Sequence, residues 1–120
     1  MSELILSNTT DLLRVQAQEI MCIKADGNYS QIILDDGEVC LVGFQLGQLE
    51  QLIDEQLGDA HGFVRIGRGA IINLLYLFRI SLPKQVLSLR SPQGHKEVLQ
   101  GSKEALRQLK LLMEEHTHKK

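Results

Sequence analysis

The sequence predicts a mostly antiparallel β domain with two helices. Three observations carry this. Short apolar runs recur along the chain, each closed by turn-forming residues such as Gly, Asp, Asn or Pro. Two segments repeat their leucines at helical spacing. Pro83 and Pro92, the two prolines, both fall at short turns between apolar runs.

In order, residues 19–25 hold the run Ile20-Met21-Cys22-Ile23, rich in strand formers. Asp26-Gly27 turns the chain, because glycine accepts a positive φ without penalty. Residues 28–34 resume an extended pattern, Asp35-Asp36-Gly37 turns it again, and residues 39–44 read as a third strand with Val39 and Leu41 on one face. Three strands with tight turns make a meander. Leu46, Leu49, Leu52, Ile53 and Leu57 then mark a helix over residues 46–57, ended by Gly58-Asp59. Residues 63–66 form a short strand, broken by Gly67-Arg68-Gly69. The run 70–74 is too short and too apolar to assign by period, and a short helical turn is the expectation. Strands follow at 77–82, 86–90 and 95–99. Ser102 is placed to cap a last helix running to about residue 115, with Leu106, Leu109, Leu112 and Met113 on its apolar face.

A length of 120 residues fits one domain over 1–120, with a polar tail at 114–120. A hydrophobic share of 43% suffices for an ordinary core. Nothing resembles a secretory start or the roughly 20 apolar residues that span a bilayer, so a cytoplasmic location without membrane contact is expected. Cys22 and Cys40 do not make a disulfide framework and read as buried free thiols. The formal net charge is −2, but the halves differ. Residues 1–60 set eleven carboxylates against Arg14 and Lys24, a balance of −9. Residues 61–120 set eleven bases against Glu97, Glu104, Glu114 and Glu115, a balance of +7. Either a polyanion-facing side is built from the second half, or the two halves cancel in the folded chain.

Three ordered segments resemble the LytTR-type DNA-binding domain family, the output module of LytR/AlgR-like response regulators. They are Ile20-Met21-Cys22-Ile23-Lys24-Ala25-Asp26-Gly27-Asn28-Tyr29-Ser30, then Phe63-Val64-Arg65-Ile66-Gly67-Arg68-Gly69-Ala70-Ile71-Ile72-Asn73-Leu74, and then Gln100-Gly101-Ser102-Lys103. The helix at 46–57 stands where the family has one, and the likeness spans about 12–113. It implies an elongated fold of small antiparallel sheets with short helices. It also implies regulation of bacterial transcription, with loops and a helix end entering the major groove at direct-repeat half-sites and two copies pairing on DNA. About ten residues precede the likeness, so a stand-alone module, or one cut from a longer chain, is the expectation.

The resemblance places base-reading positions at Ser30, Arg68 and Lys103. Arg68 suits the task chemically, since its fork matches guanine O6 and N7. The flanking Gly67 and Gly69 let backbone approach DNA closely. They stand where the family usually has His and Ser, and Lys103 stands where Arg is common. Lys103, Arg107 and Lys110 share one helix face and form either a phosphate-facing stripe or the ordinary wet side of an amphipathic helix. Arg65 alternates with Val64 and Ile66 and so points outward, to phosphate or to an acidic partner. Asn28 and Tyr29 match the motif but suit a turn and a packed ring equally well. Asn73 is expected to tie down backbone. The DNA-binding set is therefore Ser30, Arg65, Arg68, Gly69, Lys103, Arg107 and Lys110.

No catalytic, metal or cofactor role is expected. The GxxxxGK[ST] and G-x-S-x-G patterns are missing. His61, His95, His116 and His118 are scattered, without zinc-ligand spacing to the cysteines. Double-stranded DNA is the expected partner. The competing expectation is a protein-interaction module on the same fold, docking through the acidic first half.

Overall fold

The computed structural model describes residues 2–117, with side chains described through residue 115. Among these residues, ten strands and two helices follow the chain in order. Strand β1 (Glu3–Ser7) pairs with β2 (Leu12–Gln16) as a hairpin. A 3-10 turn leads into β3 (Ile20–Asp26), β4 (Tyr29–Leu34) and β5 (Val39–Val42), the expected meander. Helix α1 (Leu46–Leu57) comes next, then β6 (Phe63–Ile66), β7 (Ala70–Asn73) and a second 3-10 turn. Strands β8 (Leu77–Ser81), β9 (Val86–Arg90) and β10 (Lys96–Gln100) lead to α2 (Lys103–Thr117).

The central layer is a five-stranded antiparallel sheet in the order β5-β4-β3-β7-β6. Its two faces carry separate cores. One face sends Ile23, Ile32 and Ile71 against Leu4 and Leu6 of the first hairpin and Leu49 and Ile53 of α1. The other sends Cys22, Ile33 and Ile72 against Leu87, Leu89 and Leu99 of the sheet β10-β9-β8 and Leu106 and Leu109 of α2. Register accounts for the split: Cys22 pairs with Ile33 and Ile72, while the next residue, Ile23, pairs with Ile32 and Ile71. Successive side chains in a strand point to opposite faces. With extents of 44 × 30 × 27 Å the body is elongated.

The helical turn expected at 70–74 is a strand instead. Residues Ala70–Asn73 are all buried and lie between β3 and β6. A strand covered on both faces is apolar without alternation, so its pattern resembles that of a buried helical segment. The β1–β2 hairpin was not foreseen, although Leu4 and Leu6 are buried alternately with more exposed neighbours. Its loop is an Asn turn, in which Asn8 Oδ1 accepts from the backbone N–H of Thr10 and Asp11. Helix α2 runs two residues past the expected end, and positions 114–117, assigned to a polar tail, belong to it. The rest of that tail, 118–120, lies outside the described residues. Cys22 is buried and free, whereas Cys40 is free but only half-buried on the edge strand.

Candidate nucleic-acid interface

Cations that already carry a carboxylate partner are poorly placed to neutralise phosphate. Five of the described lysines and arginines are so paired: Arg14 with Glu3, Lys24 with Glu97, Arg65 with Glu50, Arg107 with Glu104 and Lys110 with Glu114. Among the described residues, Arg68, Arg79, Lys84, Arg90, Lys96 and Lys103 have no such partner. All six come from the second half of the chain and lie on the β6–β7 turn, the β8–β10 sheet and the first residue of α2.

The β6–β7 turn projects Arg68. The two strands pair as far as Ile66 and Ala70, leaving Gly67, Arg68 and Gly69 as the loop. Gly67 has φ 59°, a left-handed conformation that glycine adopts without strain. Arg65 braces this turn from behind. Its Nε donates to the Gly67 carbonyl at 2.8 Å and its Nη1 to Glu50 at 3.0 Å. On the other side, the Ala25 N–H donates to the Gly69 carbonyl at 2.9 Å and ties the turn to β3.

The β10–α2 corner lies next to it. A Cβ at Gly101 would stand 3.2 Å from the Leu106 side chain and 3.4 Å from that of Ile66. Glycine there lets the corner close against the strand that carries the Arg68 turn. Ser102 caps the helix as expected, its Oγ accepting from the Ala105 N–H at 3.1 Å. Lys103 is therefore exposed at a helix N-terminus, where orphan N–H groups favour anions. Turn and corner together wall an open cleft of about 570 Å³ lined by Lys24, Arg68, Gly69, Val98, Gln100 and Ser102, among others.

The expected site residues divide. Arg68, Gly69 and the Ser102–Lys103 corner come together, although they are distant in sequence. Ser30 is a correction: it is 0% exposed and its hydroxyl donates to the Phe44 carbonyl at 2.7 Å. Strand β4 directs it inward, so the wall near Arg68 is completed by Lys24 and Ala25. Arg65 meets the acidic partner that was one of its two expected roles. Arg107 and Lys110 are exposed but paired along their own helix, at 3.3 and 2.6 Å. Such exposed pairs contribute little to stability. Asn28 Oδ1 accepts from Gln45 Nε2 at 3.1 Å, and the Tyr29 ring is exposed. Asn73 ties backbone as expected, donating to the Ile20 carbonyl and accepting from the Leu75 N–H.

Lys24, Val98 and Gln100 were missed as lining residues. For the last two the signal was the period-two alternation of β10, which turns Lys96, Val98 and Gln100 outward and Leu99 inward. Behind the cleft, Lys24 Nζ donates to Glu97 Oε1 at 2.7 Å, and His95 Nε2 lies against the other carboxylate oxygen. Burial pushes the Glu97 carboxyl up, but hydrogen bonds from Lys24 and His95 outweigh it and hold the group below its ordinary value. Burial, with the Glu97 charge adding to it, pushes the neighbouring Cys22 thiol up to about 12. Among the described residues no group of three or more His, Cys, Asp or Glu is placed to hold a metal ion, and no helix is long and apolar enough to cross a membrane.

A β-rich body that sets one unpaired arginine on a hairpin turn beside a capped helix start carrying an unpaired lysine has features that suit a polyanion. The family model of the LytTr DNA-binding domain matches residues 10–114, and the chain belongs to that family. Among solved structures it is similar to the LytTr DNA-binding domain of a methyl-accepting/DNA response regulator from Bacillus cereus. The two are 17% identical, with 94% of this chain and 97% of that one covered and a TM-score of 0.65. No curated protein matches the chain.

Proposed function

We propose that this domain binds double-stranded DNA sequence-specifically, with the Arg68 turn and the N-terminus of α2 entering one major groove. The observation that carries this reading is the shared cleft. Arg68 and the corner that presents Lys103 flank it, and both cations lack carboxylate partners. Arg68 reads a guanine edge through its fork, while Lys103 and the helix N-terminus take phosphate. The module acts by binding rather than catalysis, and its consequence is control of bacterial transcription. Two copies sit side by side on direct-repeat half-sites.

The test is selection of bound duplexes in vitro, followed by titration at two salt concentrations. Arg68→Ala is expected to lose about 1–3 kcal/mol of discrimination between selected and scrambled sites. Unchanged discrimination would remove Arg68 from base reading. A second reading, docking of a protein partner, is favoured by one observation. Val39 and Leu41 are 53% and 56% exposed on edge strand β5, next to the acidic Asp36 and Glu38. Failure of the wild type to enrich any duplex would leave that reading standing.

A further inference from the structure

The Arg68 cleft uses two of the six unpartnered cations. The other four, Arg79, Lys84, Arg90 and Lys96, lie on the β8–β10 sheet or its first turn. We propose that the outer face of this sheet is a second phosphate-binding surface, which follows the backbone of the same duplex beyond the bases read by Arg68. The proposal rests on the reading of the cleft as the DNA site.

Register places three of the cations on one face. Lys96 pairs with Arg90, Val98 with Ser88, and Ser88 in turn with Arg79. Same-face residues repeat about every 6.8 Å along a strand, and strands stand about 4.8 Å apart. The Cα atoms of Arg79, Arg90 and Lys96 therefore fall within roughly 12 Å of one another. Lys84 sits at the β8–β9 turn, next to Gln85, whose carbonyl accepts from the Gly101 N–H of the cleft corner.

Two further features fit a polyanion. The three strands hold one carboxylate, Glu97, and it is turned to the opposite face, 16% exposed and engaged with Lys24 and His95. The Arg90 guanidinium lies over the exposed Phe78 ring at 3.9 Å. Stacking of that kind holds the guanidinium plane while leaving its N–H groups at the rim open to phosphate oxygens. The face also continues into the cleft. Val98 and Gln100 line the cleft and belong to the same outward row as Lys96. A duplex seated at Arg68 has its flanking phosphates to one side, and the row carries the positive charge toward them.

Phosphate contacts hold affinity and salt dependence without reading sequence. The experiment compares wild type, Arg68→Ala and the triple variant Arg79→Ala/Arg90→Ala/Lys96→Ala on one selected duplex and its scrambled counterpart, across a salt series. The three substituted residues are outward-facing, and circular dichroism verifies the fold of each variant. Each phosphate contact contributes about −0.9 to the slope of log K against log salt. The triple variant is expected to lose about 2–3 in slope magnitude while keeping the wild-type preference for the selected site. Arg68→Ala is expected to show the reverse, a lost preference and a nearly intact slope. An unchanged slope in the triple variant, with Arg68→Ala still losing its preference, overturns the second surface alone. The same holds if the triple variant instead abolishes self-association in sedimentation with the slope unchanged, which would mark the face as a protein contact. No preference in the wild type overturns both readings.

Discussion

Whether a polar side chain can meet DNA depends on what already holds it, and Ser30 and Arg68 differ on that point. Ser30 Oγ supplies the Phe44 carbonyl inside the fold. Ser30→Ala is therefore expected to leave DNA affinity unchanged while lowering stability by roughly 1–2 kcal/mol, because a partly buried carbonyl loses its donor. Chemical denaturation and a binding titration on one preparation check both halves; weakened binding with intact stability would restore Ser30 to the interface. The glycines beside Arg68 differ as well. A Cβ at Gly69 would meet nothing within 4 Å, and its φ is not in the left-handed region. Gly69→Ser is accordingly expected to fold normally and to raise DNA affinity several-fold, since the added hydroxyl can donate to phosphate. Fluorescence anisotropy on one duplex tests this, and equal or weaker affinity would refute it.

At the scale of elements, α2 does two jobs from one terminus. Its apolar face, with Leu106 0% exposed and Leu109 3%, anchors it in the second core. Its first turn presents Lys103 beside the cleft. Ser102 serves both, because its cap fixes where the helix begins. Ser102→Ala is expected to cost about 1 kcal/mol of stability and to weaken binding through misplacement of Lys103. Ser102→Asp should recover the stability, as a better cap, but not the binding, because its charge opposes phosphate. Thermal melts paired with affinity measurements separate the two effects. Strand β10 is the complementary element: one side of it packs Leu99 into the core, and the other carries Lys96, Val98 and Gln100 outward.

Across the whole molecule, the two sheets meet at the Lys24–Glu97–His95 cluster, which joins β3 to β10 just behind the cleft. Glu97→Gln is expected to lower stability by roughly 1–3 kcal/mol, as a charge-assisted pair becomes a neutral one. The pH dependence follows from the depressed carboxyl. Its contribution is fully present above the ordinary value of 4.5 and disappears as pH falls through the lower folded value. Urea unfolding of wild type and variant should thus show a gap that is constant above pH 4.5 and closes in acid. A gap that persists undiminished at lower pH would show that the charge of Glu97 is not what holds the sheets.

Much of this architecture was legible in the chain. Alternation, turn residues and leucine spacing are local properties, and they located the meander, both helices, the Ser102 cap and the three strands before α2. The ordered motifs around Arg68 and Ser102 likewise located the two loops that form the cleft. Tertiary structure decided what depends on distant partners. Arg65 is drawn to Glu50, 15 positions away, and Lys24 to Glu97, 73 positions away. The charge asymmetry of the halves therefore could not say which cations remain free. The same holds for Ala70–Asn73, whose apolar run became a strand because β3 and β6 flank it on both sides. Patterns set by bond geometry repeat along the backbone and can be read there, whereas pairing and burial are settled only when segments far apart in sequence meet.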